Sequence, residues 1–584
     1  MNNLGVDSQR RSLAPVPLPV WIVIPAIVGI WALVLPLVGM GNEVPWARIP
    51  SIMATSAAQE ALWLSVRTCV MATVIDVILG VPIALLLARD WTGVAVVRVL
   101  VLLPLSLPPV VAGLALLATF GRRGMVGASL HAAGITIAFS TAAVILAQVY
   151  VSLPFFITTL ESSLRARSRQ LEQTAAALGA GPWRVLTTIT LPTVFPALGR
   201  GTALAAARCL GEFGATITFA GSLQGVTRTM PLQVYLARET DSGTAMALGL
   251  VLVVVGAIVV GFTQSRLSQC PRRRDKSVFV GLNPPAQQPS RQSPVEACLG
   301  AASTTGLRPL TVDVCGDRVW GATADHEPAG SAAAAVHVDG QVAIRSWQGR
   351  LDVKSGEVVA VMGPNGAGKS TFAGVVTGLL ALDRGQVDIG GRVVDAGDGN
   401  IVRPERRGVC LLTQDACIFG HMSVLDNVAY GPRCHGLSRR QARKVARIQL
   451  AAVGCSHLAG RRGAQLSGGQ ATLVSLARAL AVDPDVLVFD EPTAALDVDA
   501  KTLVRDLLRS RLDQTGTTAL IITHDVADTM ALAERLVVLE HGRVVEDGGV
   551  SQLLREPCMA FTAQLAALAR FETRTNSQVP ESSS

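Results

Sequence analysis

Residues 363–371 read GPNGAGKST and carry the densest chemistry in the chain. They follow the apolar run EVVAVM and precede a helical stretch, the setting of a Gly-x-x-x-x-Gly-Lys-Ser phosphate loop. Gly366 and Gly368 let the backbone turn so that its N–H groups point at phosphate oxygens, and the helix start adds the positive end of its dipole. Lys369 reaches the β- and γ-phosphates, and Ser370 ligates Mg²⁺. The whole loop, Gly363, Pro364, Asn365, Gly366, Ala367, Gly368, Lys369, Ser370 and Thr371, is thus a candidate ATP cradle. About 120 residues later comes VLVFDE, an apolar strand with Asp490 at its end. A carboxylate there holds the Mg²⁺ shell, and Glu491 polarises the attacking water. LSGGQ at 466–470 opens another helix, where Ser467, Gly468 and Gly469 form a second anion cradle. One nucleotide has no need of two cradles in one chain. Two chains facing head to tail do need both, with each nucleotide between one chain's Lys369 loop and the other's Ser467 turn.

These residues need a scaffold of short strands and helices. Val358–Met362, Val409–Leu412, Val486–Phe489, Ala519–Thr523 and Leu536–Leu539 read as strands. Ser370–Leu380, Ala442–Val453, Gln470–Ala481 and Val498–Arg511 read as helices. Such alternation predicts a mostly parallel sheet with helices on both faces.

The rest of the chain is different in kind. The 584 residues are 50% hydrophobic and 16% charged, with a mean hydropathy of +0.42. These values exclude a disordered chain and argue against an ordinary soluble enzyme. Only 16 Arg and 10 acids occur in residues 1–264. Six apolar stretches there approach the roughly 20 residues a bilayer requires: 18–40, 61–87, 97–120, 135–160, 191–221 and 245–262. The first is too long for a cleaved signal peptide and lacks a small-residue cleavage site. Prolines inside the spans are tolerated where neighbouring helices satisfy the freed carbonyls. Six of the eight Trp lie in this part, several near span ends.

With the N-terminus inside, twelve Arg fall on inner segments and five on outer loops, Arg122 and Arg123 being the misfits. The positive-inside rule then places both ends of the membrane part in the cytoplasm. Topology explains the net charge of +8, so nucleic-acid binding is not expected. The ten Cys are scattered without a Cys-x-x-Cys, which argues for free thiols rather than zinc or disulfides. The expected organisation is a cytoplasmic tail 1–17, a membrane domain 18–264, a Pro/Ser/Ala-rich linker 265–332, an ATPase domain 333–567 and a disordered tail 568–584.

GPNGAGKST, Gln414, LSGGQ, VLVFDEPTAALD and the His of IITHD together resemble the ATPase domain of ABC transporters over about 336–567. The resemblance implies that Gln414 senses Mg²⁺ and water and couples to the membrane domain. It also implies that Gln470 belongs to the signature turn, that Asp497 lies on a loop touching the opposite chain, and that His524 contacts the γ-phosphate. Two features depart from the pattern. Ala471, Thr472 and Leu473 replace the usual Gln and Arg. No aromatic occupies the usual adenine-stacking position, and Trp347, the nearest, lies too close to the phosphate loop.

In the membrane half, EQTAAALGAGPWRVLTTITLP at 172–192 resembles the coupling-helix motif of importer permeases, with Gln173 and Thr174 in place of Glu-Ala. GEFGATITFAG at 211–221, with LPLSLPPVVAGLALLATFGRRG at 103–124 and TMPLQVYL at 229–236, resembles molybdate permeases. Glu212 and Arg208, one helical turn apart, read as a structural ion pair rather than an oxyanion contact. Thr216 and Thr218 offer neutral donors for a path.

The expectation is an all-α six-helix membrane domain followed by an α/β P-loop ATPase domain of ABC type. It works as a homodimer in the bacterial cytoplasmic membrane, with ATP and Mg²⁺ as cofactors. By the resemblance, it imports an oxyanion, molybdate, delivered by an extracytoplasmic oxyanion-binding protein. Sulfate, thiosulfate or tungstate import, or nucleotide sensing without pumping, are the alternatives. A C-terminal oxyanion-sensing domain, and trans-inhibition by cytoplasmic molybdate with it, are not expected.

Overall fold

The computed structural model describes residues 20–268, 334–494, 496 and 498–576. The expected tail 1–17, nearly all of the expected linker, the end of the C-terminal tail and Asp497 lie outside the described residues. The chain forms two compact units. One holds the described residues up to Arg167 and those from Val194 to Ser268. The other holds Ser168–Thr193 together with residues 334–576.

The first unit is helical. Four helices are long and apolar enough to cross a membrane: Val23–Glu43, Ser56–Leu87, Thr141–Arg165 and Ser242–Gly261. The first buries nothing within the unit, as a lipid-facing helix would. The stretch expected to span at 97–120 is instead two helices, Val94–Ser106 and Pro109–Phe120, bent by 114°. Leu107 is extended at the break because Pro108 excludes the helical conformation from the residue before it. The stretch expected at 191–221 also breaks. Helix Leu191–Leu210 ends before Gly211, and a short helix Gly214–Phe219 follows. Six uninterrupted spans are therefore not found among the described residues.

Small residues let these helices approach closely. A Cβ on Gly80 would lie 2.4 Å from the Phe156 ring. Glu212 is buried, pairs with Arg208 at 2.9 Å and accepts the Ala215 N–H at 3.0 Å. It therefore locks the turn between two helices, the structural role read from its spacing. Thr218 donates within its own helix, and Thr216 is fully buried.

The second unit contains ten strands. We number them β1 Ala334–Val342, β2 Trp347–Lys354, β3 Val358–Met362, β4 Arg384–Ile389 and β5 Arg392–Asp395. The others are β6 Val409–Leu412, β7 Val486–Asp490, β8 Thr518–Ile522, β9 Arg535–Glu540 and β10 Arg543–Gly549. The main sheet has the order β10-β9-β3-β8-β7-β6 and is parallel except for β9–β10. The central strands β3 and β8, and β6 at the sheet's end, are buried along their whole length, as both-face coverage by helices requires. A second sheet, β2-β1-β4-β5, is antiparallel and was not foreseen. β2 alternates buried and exposed residues throughout, with one face to the core. Two boundaries also shift. Helix Ser242–Ser268 enters the expected linker, and helix Ala560–Asn576 enters the tail expected to be disordered, anchored by buried Leu565 and Ala569.

Candidate functional site

Strands β3, β8, β7 and β6 are parallel neighbours, so their carboxyl ends share one edge. The phosphate loop follows β3, His524 follows β8, Asp490 and Glu491 close β7, and Gln414 follows β6. Ligands of open α/β sheets bind at that edge.

The loop backbone depends on three glycines with positive φ, Gly363, Gly366 and Gly368. Gly363 has φ +149°, and a Cβ on it would lie 2.1 Å from the Leu539 carbonyl. Gly368, at φ +100°, caps helix Lys369–Thr377, and a Cβ there would meet the Trp347 ring at 2.6 Å. Trp347 itself is buried and packs on Phe372 at 6.3 Å. It is a wall of the loop and presents no open face to a base. Lys369 Nζ donates to the carbonyls of Gly363 at 2.7 Å and Pro364 at 3.0 Å. Burial draws this ammonium below the usual lysine range, and Glu491 and Asp490 oppose that. Asn365, Gly366 and Ser370 are exposed, whereas Ala367 and Thr371 are buried.

At the end of β7, burial raises the Asp490 carboxyl above its usual range; Glu491 adds to this and Lys369 opposes it. Glu491 has φ +52°, a left-handed backbone that costs a non-glycine residue about 1–2 kcal/mol. Its N–H is bonded to the Ile522 carbonyl at 2.8 Å. His524 Nδ1 lies 3.1 Å from Glu491 Oε1. A carboxylate only accepts, so Nδ1 carries the proton and Nε2 is left for a ligand. The ligands offered are hard oxygens: the Asp490 carboxylate and the Ser370 hydroxyl at the loop, and the Gln414 amide after β6 on the same sheet edge. Among the described residues no group of three or more His, Cys, Asp or Glu could hold a metal. Such a set fits Mg²⁺ that arrives on phosphates and takes few protein ligands.

Lys369, Asp490, Glu491 and His524 thus meet in one place. The Ser467 turn is built separately. The Ser467 hydroxyl accepts the Gln470 N–H at 3.4 Å, and Gln470 Oε1 accepts the Ser467 N–H at 3.3 Å. This capping box starts helix Gly468–Leu480 and leaves Ser467 and Gly468 exposed.

Ser168–Thr193, although flanked on both sides by membrane-type helices, folds into this same unit. Arg184 Nη1 donates to the Arg433 carbonyl at 2.8 Å, and His421 Nε2 donates to the Thr188 carbonyl at 2.8 Å. The Thr188 and Tyr430 hydroxyls are 2.9 Å apart. Gly179, at φ +87°, lies against the His435 ring, 2.3 Å from where its Cβ would be. The sequence marked the segment but not its receptors His421, Tyr430 and His435, which no local pattern identifies.

Residues 78–271 match the family described as binding-protein-dependent transport system inner membrane component, and residues 348–494 match the ABC transporter family. The molybdenum transport system permease protein ModB of Mycobacterium tuberculosis is 53% identical over 247 residues, 42% of this chain and 94% of that protein. This chain belongs to the ABC transporters. More narrowly, it is a fused permease and ATPase of the molybdate/sulfate importer type, a multi-pass inner-membrane protein of the binding-protein-dependent class. Its ABC domain binds ATP and hydrolyses it in support of transport. The molybdenum import ATP-binding protein ModC of M. tuberculosis is 44% identical over 232 residues, covering 39% of this chain and 63% of that protein. The Fe(3+) ions import ATP-binding protein FbpC of Streptomyces avermitilis is 42% identical over 214 residues, covering 37% of this chain and 61% of that protein.

Proposed function

We propose that this ABC transporter imports molybdate across the cytoplasmic membrane as a homodimer served by an extracytoplasmic oxyanion-binding protein. The observation that carries the cargo is the match of the permease half to a molybdenum permease over nearly that protein's whole length. The ATPase half resembles proteins named for both molybdenum and ferric ions, and so says little about cargo. The domain organisation proposed is a tail 1–17, a permease from 18 to the end of helix Ser242–Ser268, a linker up to 332 and an ATPase domain from 333 through helix Ala560–Asn576. The permease crosses six times if the bent pair counts as one crossing and residues 191–221 as another. Both of its ends, and the ATPase, then face the cytoplasm.

In the reaction we propose, the amides of residues 363–371 and Lys369 hold the ATP phosphates. Ser370, Asp490 and Gln414 would hold Mg²⁺, which when bound neutralises charge between the β- and γ-phosphates. Glu491 accepts a proton from the attacking water, and its contact with His524 turns Nε2 towards the γ-phosphate. Ser467, Gly468, Gly469 and Gln470, with Asp497, complete the nucleotide site of the partner chain. ATP draws the two ATPase domains together, and residues 168–193 pass that movement to the spans.

Uptake of radiolabelled molybdate into proteoliposomes with the binding protein tests this reading. ATP-dependent uptake that tungstate or sulfate displaces only at large excess is expected, with Glu491→Gln blocking it. Uptake of sulfate in preference would replace the cargo. ATP turnover that persists in Glu491→Gln would remove the catalytic assignment.

A further inference from the structure

Glu491 and His524 sit at the ends of different strands, and Glu491 bears a strained backbone. Such strain persists only where the surroundings over-determine it. One side chain outside the motifs reaches both loops. Asp528, in helix Val526–Leu532, is 1% exposed. Its Oδ2 accepts the Thr493 hydroxyl at 2.6 Å and the Thr523 hydroxyl at 3.2 Å. Thr493 is two residues after Glu491, and Thr523 is the residue before His524. Both threonines are buried. The Thr523 hydroxyl also accepts the Asp525 N–H at 3.0 Å, which fixes its hydrogen towards Asp528. Asp528 Oδ1 is met by Arg505 Nε at 2.5 Å. Arg505 extends to Asp525 Oδ2 at 2.9 Å, where Lys501 joins at 3.1 Å.

We infer that Asp528 is a positioning residue for ATP hydrolysis: one buried carboxylate clamps the loop of Glu491 and the loop of His524 in mutual register. The two threonines are its direct links to those loops, Arg505 adds a route through Asp525 beside His524, and no bond joins Asp528 itself to Glu491 or His524 among the described residues. Arg505 supplies the charge that lets the carboxylate remain buried and accept from both hydroxyls. The clamp sets the distance between Glu491 and His524 and leaves the phosphate loop untouched. It therefore acts on the chemical step and not on nucleotide affinity. This inference rests on the assignment of Glu491 and His524 to hydrolysis.

The test compares full-length Asp528→Asn, Thr493→Val and Glu491→Gln transporters in proteoliposomes, reading kcat, KM for ATP and thermal unfolding. Asp528→Asn should lower kcat about tenfold, equal to about 1.4 kcal/mol of barrier, with KM within about twofold. Thr493→Val, which keeps the β-branched shape, should lower kcat about threefold at unchanged KM. The double variant should lose less than the product of the two, because both cut one clamp. Unchanged kcat in folded Asp528→Asn, or a lowered unfolding temperature with kcat per folded protein intact, overturns the inference. If Asp528→Asn does not fold, Thr493→Val decides in the same way. Glu491→Gln separates the two levels. Loss of turnover there with normal Asp528→Asn refutes only the clamp, whereas turnover retained in Glu491→Gln refutes the underlying reading.

Discussion

The two units differ in which charges they bury. Both bury acids, such as Asp528 and Glu212, but among the described residues only the ATPase unit also buries cations, which rest on backbone carbonyls. Arg407 donates to the carbonyls of Val402 at 2.7 Å, Val375 at 2.8 Å, Val376 at 3.2 Å and Val394 at 3.3 Å. Arg478 donates to Cys417 and Ala416 at 2.8 and 2.9 Å and lies 5.0 Å over the Phe419 ring. Burial lowers both guanidiniums to about 10, and both stay charged at neutral pH. In the membrane-type unit the buried charges are acids held by arginines or hydroxyls. Glu161 meets Arg98 and Arg165, each at 3.0 Å, and Asp76 meets the Ser152 hydroxyl at 2.5 Å. A cation on carbonyls fixes a loop, because loops have carbonyls to spare. An acid on arginines joins helices, whose own carbonyls are already used. In the ATPase unit the carbonyl-held cations fix loops, and in the membrane-type unit the arginine-held Glu161 ties helices together.

The largest effect is expected where a cation on carbonyls is not sealed in. Lys369 rests on Gly363 and Pro364 but is half-buried, so a phosphate can draw it away. Lys369→Ala should reduce ATP hydrolysis by more than about 100-fold, the scale of losing a transition-state donor. The unfolding temperature should hardly change. A large loss of stability would place Lys369 with Arg407 and Arg478 as a structural cation.

Glu161 tests the other half of the comparison. Its alanine variant leaves Arg98 and Arg165 facing each other near the Leu87 carbonyl, to which Arg165 donates at 2.9 Å. Breaking a buried pair costs about 3–5 kcal/mol, and partial exposure of both arginines reduces this to about 2 kcal/mol. Thermal unfolding in detergent should fall accordingly, while ATP binding by the ATPase unit stays as it was. An unchanged unfolding temperature would show that the helices are aligned by packing alone.

This contrast also explains what the sequence disclosed. The nucleotide site was legible because its residues are contiguous. GPNGAGKST and LSGGQ each carry a turn and a helix start within a few positions, VLVFDE carries a strand and its end, and the five strands foreseen all formed within a residue of their expected ends. Residues paired across the fold left no such trace. Asp528 meets Thr493 across 35 positions, and Asp76 meets Ser152 across 76. The sheet of β1, β2, β4 and β5 was missed because glycines and charges interrupt its strands. The broken spans were missed because hydropathy counts apolar residues and is blind to what Pro108 does to Leu107.

The segment 168–193 sharpens the comparison further, since it belongs by sequence to the membrane part and by packing to the ATPase unit. Gly179→Ala would put a methyl group 2.3 Å from the His435 ring and demand a left-handed alanine. Docking of the segment should weaken by about 1–2 kcal/mol. Molybdate moved per ATP should fall while ATP turnover continues. Equal loss of both would mean that the segment supports the nucleotide site instead of transmitting from it.

The smallest effect expected is a pH dependence at the same contact. His435 is half-buried, and its Nδ1–H donates to the Gly431 carbonyl at 2.9 Å. Burial lowers its affinity for a proton, the hydrogen bond opposes this, and the nearby Arg184 charge lowers it again. The docked segment therefore favours the neutral ring. That contribution is complete above the ordinary histidine value of about 6.5 and is lost as pH falls through the lower value of the docked state. Hydrogen exchange of residues 170–177 should accordingly quicken as pH drops from about 7.5 to about 5.5, after correction for the intrinsic rate. His435→Gln, which removes the titration, should flatten the profile. A profile unchanged by that substitution would assign the dependence elsewhere and leave His435 as a packing partner for Gly179 alone.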